Sequence, residues 1–248
     1  MKNLAIARAG ENSKHETWLS NPSKKNFDML VAYYGDEPGK WRARADFYDR
    51  AKGLKYPWFS EYMELFPMMA DYDAVWLCDD DLEADTETIA DMFDIFHESG
   101  LWLAQGAQSV SSVVSFEHLR CRPGLLLRHV GFVEEQMPIF SKECLRRLKH
   151  TMRLTKSGWG LGIAWTSTLG HPEDKMGVID AAPIGHHRPL KAGEMYTQVL
   201  PAMGLTARQE LDAMRSRYQE DMRLVEFDEV PLDPRHPLTP ERLARQRR

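Results

Sequence analysis

Short unbroken apolar runs alternate along the chain with stretches in which apolar residues recur every third or fourth position. The runs "LAIA" (4–7) and "FDMLVAYYG" (27–35) predict strands, closed by Gly10 and by the turn-rich "GDEPG" of 35–39. A helix follows, with Pro57 in its first turn and Phe59, Tyr62, Phe66 and Met69 along one face. "AVWLC" (74–78) reads as a buried strand. Beyond it Ile89, Met92, Phe93 and Phe96 repeat at helical spacing up to a stop at Gly100, and "LWLAQ" (101–105) is again a strand. A helix starting near Ser141 carries Leu145, Leu148 and Met152. Another follows "SGWG", with Leu161, Trp165 and Leu169 before Gly170. "GVIDAAPIGHHRP" (177–189) starts as a strand and ends as a loop. Strand and helix in alternation imply an α/β fold, a mostly parallel mixed sheet flanked by helices.

The last quarter has a different pattern. Thr206 and Gln209 have capping-box spacing, and Leu211, Met214, Tyr218 and Met222 make one apolar stripe, which predicts an amphipathic helix. "PLDPRHPLTPERLARQRR" then offers four prolines and little to bury, so an extended strap or disordered tail is expected. The boundary falls at residue 194: residues 1–194 form the main domain, and 195–248 a helix and tail packed on it.

Composition narrows the function. At 248 residues, 43% hydrophobic and 28% charged, the chain can bury one substantial core. A net charge of -5 and a pI near 6.0 argue against a nucleic-acid partner. The one dense basic cluster, Arg242, Arg245, Arg247 and Arg248, reads as a solvated tail. Cys78, Cys121 and Cys144 are scattered without a Cys-x-x-Cys pair, so neither a disulfide framework nor a zinc site is indicated and a reducing cytoplasm fits. No apolar run approaches the about 18 residues that span a bilayer, and the apolar part of "MKNLAIARAG" is too short for a signal peptide. A cytoplasmic protein without a membrane span is expected.

Chemistry concentrates in "VWLCDDDLEAD" (75–85), where Asp79, Asp80 and Asp81 follow a strand. The carboxyl ends of strands are where open α/β sheets bind ligands. Acidic residues also complement a helix N-terminus, which accounts for Glu83 and Asp85. Three contiguous aspartates repel one another unless something positive joins them, and hard oxygen ligands of this kind suit Mg²⁺ or Mn²⁺. A calcium loop fails on spacing, because Ala84 and Ala90 stand where its glycine and bidentate glutamate belong.

An Asp-x-Asp after a buried strand, a "GWG" leading a later helix and a histidine after a late strand resemble the GT-A (Rossmann-like) fold of nucleotide-sugar glycosyltransferases. More closely, "ARAGENSKHETWL", "NFDMLVAYYGD", "KGLKYP", "VWLCDDDLEAD", "GLWLAQ", "FVEEQMPIFS", "SGWG" and "IDAAPIGHHRP" resemble domain-of-unknown-function family 707, grouped with that fold, over residues 3 to 190. The resemblance implies a metal-dependent glycosyltransferase that takes a nucleotide-diphosphate sugar, a UDP-sugar foremost, and serves polysaccharide or glycoconjugate assembly. Asp81 would bind Mn²⁺ or Mg²⁺ directly, Asp79 would reach the ribose or a metal-bound water, and Asp80 would adjoin them. His186 would add a metal ligand, with His187 as runner-up. Arg8, Ala9 and Gly10 would receive the base, and Asp36 the base or ribose. Lys52 and Lys55 would face the phosphates, and Trp159 could stack on sugar or base. Inverting enzymes of this fold place an acidic base shortly after the "WG", where this chain has Gly162. Glu134 or Glu135 then becomes the candidate base. A non-catalytic sugar or nucleotide binder is the alternative. A phosphohydrolase ranks below both, since Glu83 stands where its Asp-x-Asp-x-Thr pattern wants threonine.

Overall fold

The structure, a computed structural model, describes residues 1–247; Arg248 of the basic cluster lies outside the described residues. Strands β1 (Asn3–Ala9), β2 (Asp28–Tyr33), β3 (Phe47–Arg50), β4 (Ala74–Asp79), β5 (Leu82–Glu83), β6 (Leu103–Gln108), β7 (Leu125–Val130), β8 (Ile139–Ser141), β9 (Met176–His186) and β10 (Glu226–Pro231) form a mixed sheet. Its order is β10-β7-β9-β6-β8-β4-β1-β2-β3, with β5 paired to β9 off that path. The strands β4, β1, β2 and β3 run parallel, as do β6 and β9. Antiparallel β8 joins these two parallel blocks.

The helices are α1 (Lys55–Leu65), α2 (Thr86–Glu98), α3 (Lys142–Leu148), α4 (Leu161–Leu169), the short α5 (Leu200–Ala202), α6 (Ala207–Tyr218) and α7 (Thr239–Gln246). Strand alternation divides the core between the two faces of the sheet. Leu4 and Ile6 of β1 join the cluster that holds Trp58, Phe59, Leu145, Leu161 and Trp165 of α1, α3 and α4. Ala5 and Ala7 face Ile89, Met92, Phe93 and Phe96 of α2. None of the described helices is long and apolar enough to cross a membrane.

Three expectations change. Helix α1 stops at Leu65, because Pro67 cannot continue it, and Phe66 and Met69 fall in the cap and a 3-10 turn beyond. The late strand runs further than its proline suggests: β9 continues through Pro183 to His186, since its last residues pair with β5, and only 187–189 leave as a loop. The C-terminal stretch is neither disordered nor a solvated tail. Its β10 pairs antiparallel with β7, and α7 packs back on the sheet. Arg242 is 5% exposed and reaches Asp91 of α2 at 2.6 and 2.9 Å, with Arg245 on the same carboxylate. Charge pairing buries a segment whose apolar content alone gives no reason to fold.

Candidate active site

The three aspartates leave β4 with three different sets of partners. Asp79 Oδ1 accepts from Lys55 Nζ at 2.6 Å. The ammonium also donates to the carbonyls of Glu135 at 2.7 Å and Gln136 at 3.1 Å, so its three protons are all engaged. Lys55 therefore serves as the resident counter-charge of Asp79 and not as the free phosphate ligand expected. Asp80 Oδ2 accepts from the Gly10 amide at 2.6 Å and the Tyr34 hydroxyl at 3.2 Å, which ties the first strand's exit to the aspartate loop. Burial holds its carboxyl up at about 6.

Asp81 faces His186. The β5–β9 ladder sets Leu82 opposite His186, and this brings the histidine beside Asp81 across a long separation in sequence. His186 Nε2 lies 3.6 Å from Asp81 Oδ2, and Arg188 Nη1 approaches the same oxygen at 3.9 Å. The Val113 carbonyl, 2.9 Å from His186 Nδ1, fixes the ring. Burial disfavours charge on both partners, yet their mutual attraction prevails: Asp81 lies below its ordinary value and His186 above. His187 is exposed on the strand's exit.

Two further carboxylates come from the segment before β8. Glu134 is 8% exposed, and its Oε2 accepts from Gln108 Nε2 at 2.9 Å. Burial, with repulsion from Glu135, pushes its carboxyl up to about 7. Glu135 Oε1 accepts from the Gly162 amide at 3.0 Å, at the N-terminus of α4, where helix amides favour a carboxylate. Burial nevertheless raises Glu135 above its ordinary value. The absence of an acid at 162 has a steric cause: a Cβ there would lie 2.5 Å from the Phe132 ring. The carboxylate in this region is supplied from outside the helix, by Glu135.

The "SGWG" turn is braced by residues that sequence reasoning missed. Gly158 and Gly160 have φ of 94° and 88°, in the left-handed region that favours glycine. Glu210 of α6 accepts from the amides of Lys156 at 2.6 Å and Ser157 at 2.8 Å, and from the Ser157 hydroxyl at 2.6 Å. Trp159 Nε1 donates to the hydroxyl of Tyr196 at 3.0 Å. Tyr196 in turn lies within electrostatic reach of Asp79, Glu135 and Glu134. Neither Glu210 nor Tyr196 belongs to a local motif, so no short-range signal marks them.

The structure thus brings together Asp79, Asp81, His186, Lys55, Glu134, Glu135 and Trp159. Of the other candidates, Arg8 and Gly10 adjoin the aspartates through β1 and the Asp80 carboxylate, and Asp36 and Lys52 stand on the surface. Arg8 is turned into the fold, donating to the carbonyls of Ala32 at 3.0 Å, Ala51 at 2.6 Å and Gly53 at 2.7 Å. Ala9 is buried within β1. Gly10 spends its amide on Asp80. Asp36 and Lys52 pair with each other at 2.7 Å on the surface, 92% and 65% exposed, where solvent screens both.

Among the described residues no group of three or more His, Cys, Asp or Glu is arranged to hold a metal ion. Asp81 and His186 fit a smaller share. Mg²⁺-like ions are often held by one or two carboxylates, with substrate phosphates and water completing the shell. Asp81 Oδ1 is buried without a hydrogen-bond partner, an oxygen that a cation would satisfy.

The chain is a single α/β domain, its mixed sheet flanked by helices and its carboxylates gathered at strand ends. The crystal structure of S. aureus TarS, a glycosyltransferase, matches it with a TM-score of 0.51 and 12% sequence identity, over 88% of this chain and 43% of that one. The chain spans less than half the length of that structure, and at this identity the likeness concerns the fold. No family model and no curated protein matches the chain, so membership of family 707 is not confirmed.

Proposed function

We propose that the chain is a metal-dependent glycosyltransferase that moves a sugar from a nucleotide-diphosphate donor, a UDP-sugar foremost, to an acceptor in polysaccharide or glycoconjugate assembly. The observation that carries this reading is the convergence of Asp81, with its orphaned buried oxygen, and His186 beside Asp79, in a glycosyltransferase-like fold. Asp81 and His186 would hold Mn²⁺ or Mg²⁺, and Asp79, steadied by Lys55, would face the ribose or a metal-bound water. Bound there, the ion would neutralise the charge that grows on the diphosphate as the sugar leaves.

Glu135 is the better placed of the two candidate bases. It is less buried than Glu134 and takes an amide of α4, whereas Glu134, with its carboxyl near 7, is largely protonated below neutral pH. In an inverting transfer the acceptor hydroxyl gives its proton to Glu135 while its oxygen bonds to the anomeric carbon. The bond from that carbon to the diphosphate breaks, and its electron pair leaves with the phosphate oxygen. The test follows nucleoside diphosphate release from nucleotide sugars with Mn²⁺, for the native protein and Asp81→Ala. Release that requires both the metal and Asp81 is expected. Binding without release would instead support the non-catalytic sugar or nucleotide binder, and unchanged metal-dependent binding in Asp81→Ala would remove the metal assignment.

A further inference from the structure

The segment between β9 and α6 has three features that the proposed transfer leaves unused. Lys191 sits at φ 61° although it is not glycine, a strain of the kind that clusters where ligands are held. Met195–Val199 form a π-helical turn, a rare geometry frequent at functional sites. Within that turn Tyr196 accepts the Trp159 indole proton, and among the described residues nothing takes its own phenolic proton. Burial pushes this phenol up to about 12, so it remains a donor at neutral pH.

The surroundings define what the phenol can meet. Asp79, Glu135 and Glu134 act on it electrostatically, with Asp79 already paired to Lys55. Trp159 adds an aromatic surface, with the Lys191 ammonium 5.0 Å from its ring centroid. Acceptor carboxylates, one unused donor and an aromatic wall suit a hydroxyl-rich ring: its hydroxyls donate to the carboxylates and accept from the phenol, and its C–H face rests on the indole. We propose that Tyr196 is a specificity-determining residue, donating its phenolic hydrogen bond to a hydroxyl of the transferred sugar. This rests on the nucleotide-sugar reading above.

Calorimetric titration with Mn²⁺ would use UDP, UDP-glucose, UDP-N-acetylglucosamine and UDP-glucuronate, with GDP and GDP-mannose as a second series. The best conjugate is expected to bind more tightly than its bare nucleotide. Tyr196→Phe should reduce that gain about 3- to 10-fold, the worth of one hydrogen bond, and leave bare-nucleotide affinity within about twofold. A gain that survives Tyr196→Phe, or no gain from any sugar, would overturn the inference while the nucleotide still binds. If neither UDP nor GDP binds, the nucleotide-sugar reading fails and this inference fails with it.

Discussion

Replacing Asp91 by asparagine tests whether charge holds the C-terminal arm on the domain. Asp91 Oδ1 accepts from Arg242 Nη2 at 2.6 Å, and Oδ2 from Arg242 Nε at 2.9 Å and Arg245 Nη2 at 2.5 Å. The side chains of Asp91 and Arg242 are each 6% exposed, and that of Arg245 10%. Asparagine keeps the shape but turns one acceptor oxygen into a donor facing guanidinium donors, and it leaves two nearly buried arginines without a counter-charge. Breaking a buried pair on one side costs about 3–5 kcal/mol. For a chain of this length each kcal/mol lowers Tm by about 2–4 °C, so a fall on the order of 6–20 °C is expected.

Should α7 peel away more cheaply than the whole domain unfolds, the loss appears as local opening. Limited trypsin digestion reports this, since cleavage at Arg242 and Arg245 becomes fast in the variant and slow in the native protein. Asp91→Leu combined with Arg242→Met and Arg245→Met should recover much of the loss, because the apolar set removes all three buried charges together. An Asp91→Asn protein that melts within about 2 °C of the native one and keeps its arm protected would refute the reasoning.

Glu135→Gln retains an acceptor for the Gly162 amide, so the fold should hold while sugar transfer falls about 10²- to 10⁴-fold; a larger loss in Glu134→Gln would show that the other carboxylate is the base. Glu134 has its folded pKa at about 7, above the ordinary carboxyl value of 4.5, so the folded state binds the extra proton between those values and stability falls as pH rises through that window. Urea denaturation from pH 4.5 to 7.5 should therefore show Glu134→Gln gaining on the native protein as pH rises, and parallel profiles would contradict the assignment. Gly160→Ala forces a Cβ to 2.7 Å from the Met214 side chain at a left-handed φ. It should destabilise by about 1–3 kcal/mol, read from the same denaturation curves, and native stability would show the turn to be slack.

What the chain settled by itself is whatever depends on near neighbours. The alternation in β1 sorted Leu4 and Ile6 from Ala5 and Ala7, the Thr206–Gln209 spacing yields the capping box of α6, and Gly170 ends α4 in the left-handed conformation. These follow from side-chain periodicity and backbone sterics within a few residues. The placing of Asp79, Asp80 and Asp81 at the end of β4 was legible for the same reason. Only the tertiary structure decided which charges are buried and what they meet. A sequence reader leaves Arg and Lys in water by default, yet Arg8 holds three carbonyls, Lys55 neutralises Asp79, and Arg242 and Arg245 share Asp91. Asp180 and Arg128, both wholly buried, close a further pair between β9 and β7. The site follows the same division: Asp81 was visible locally, while the β5–β9 ladder brought His186 to it, steric exclusion at Gly162 left room only for a carboxylate from elsewhere, and the segment after β9 set Tyr196 against Trp159. Desolvation favours charges only where distant chain segments supply partners, and that supply is a property of the folded topology, not of any short stretch of sequence.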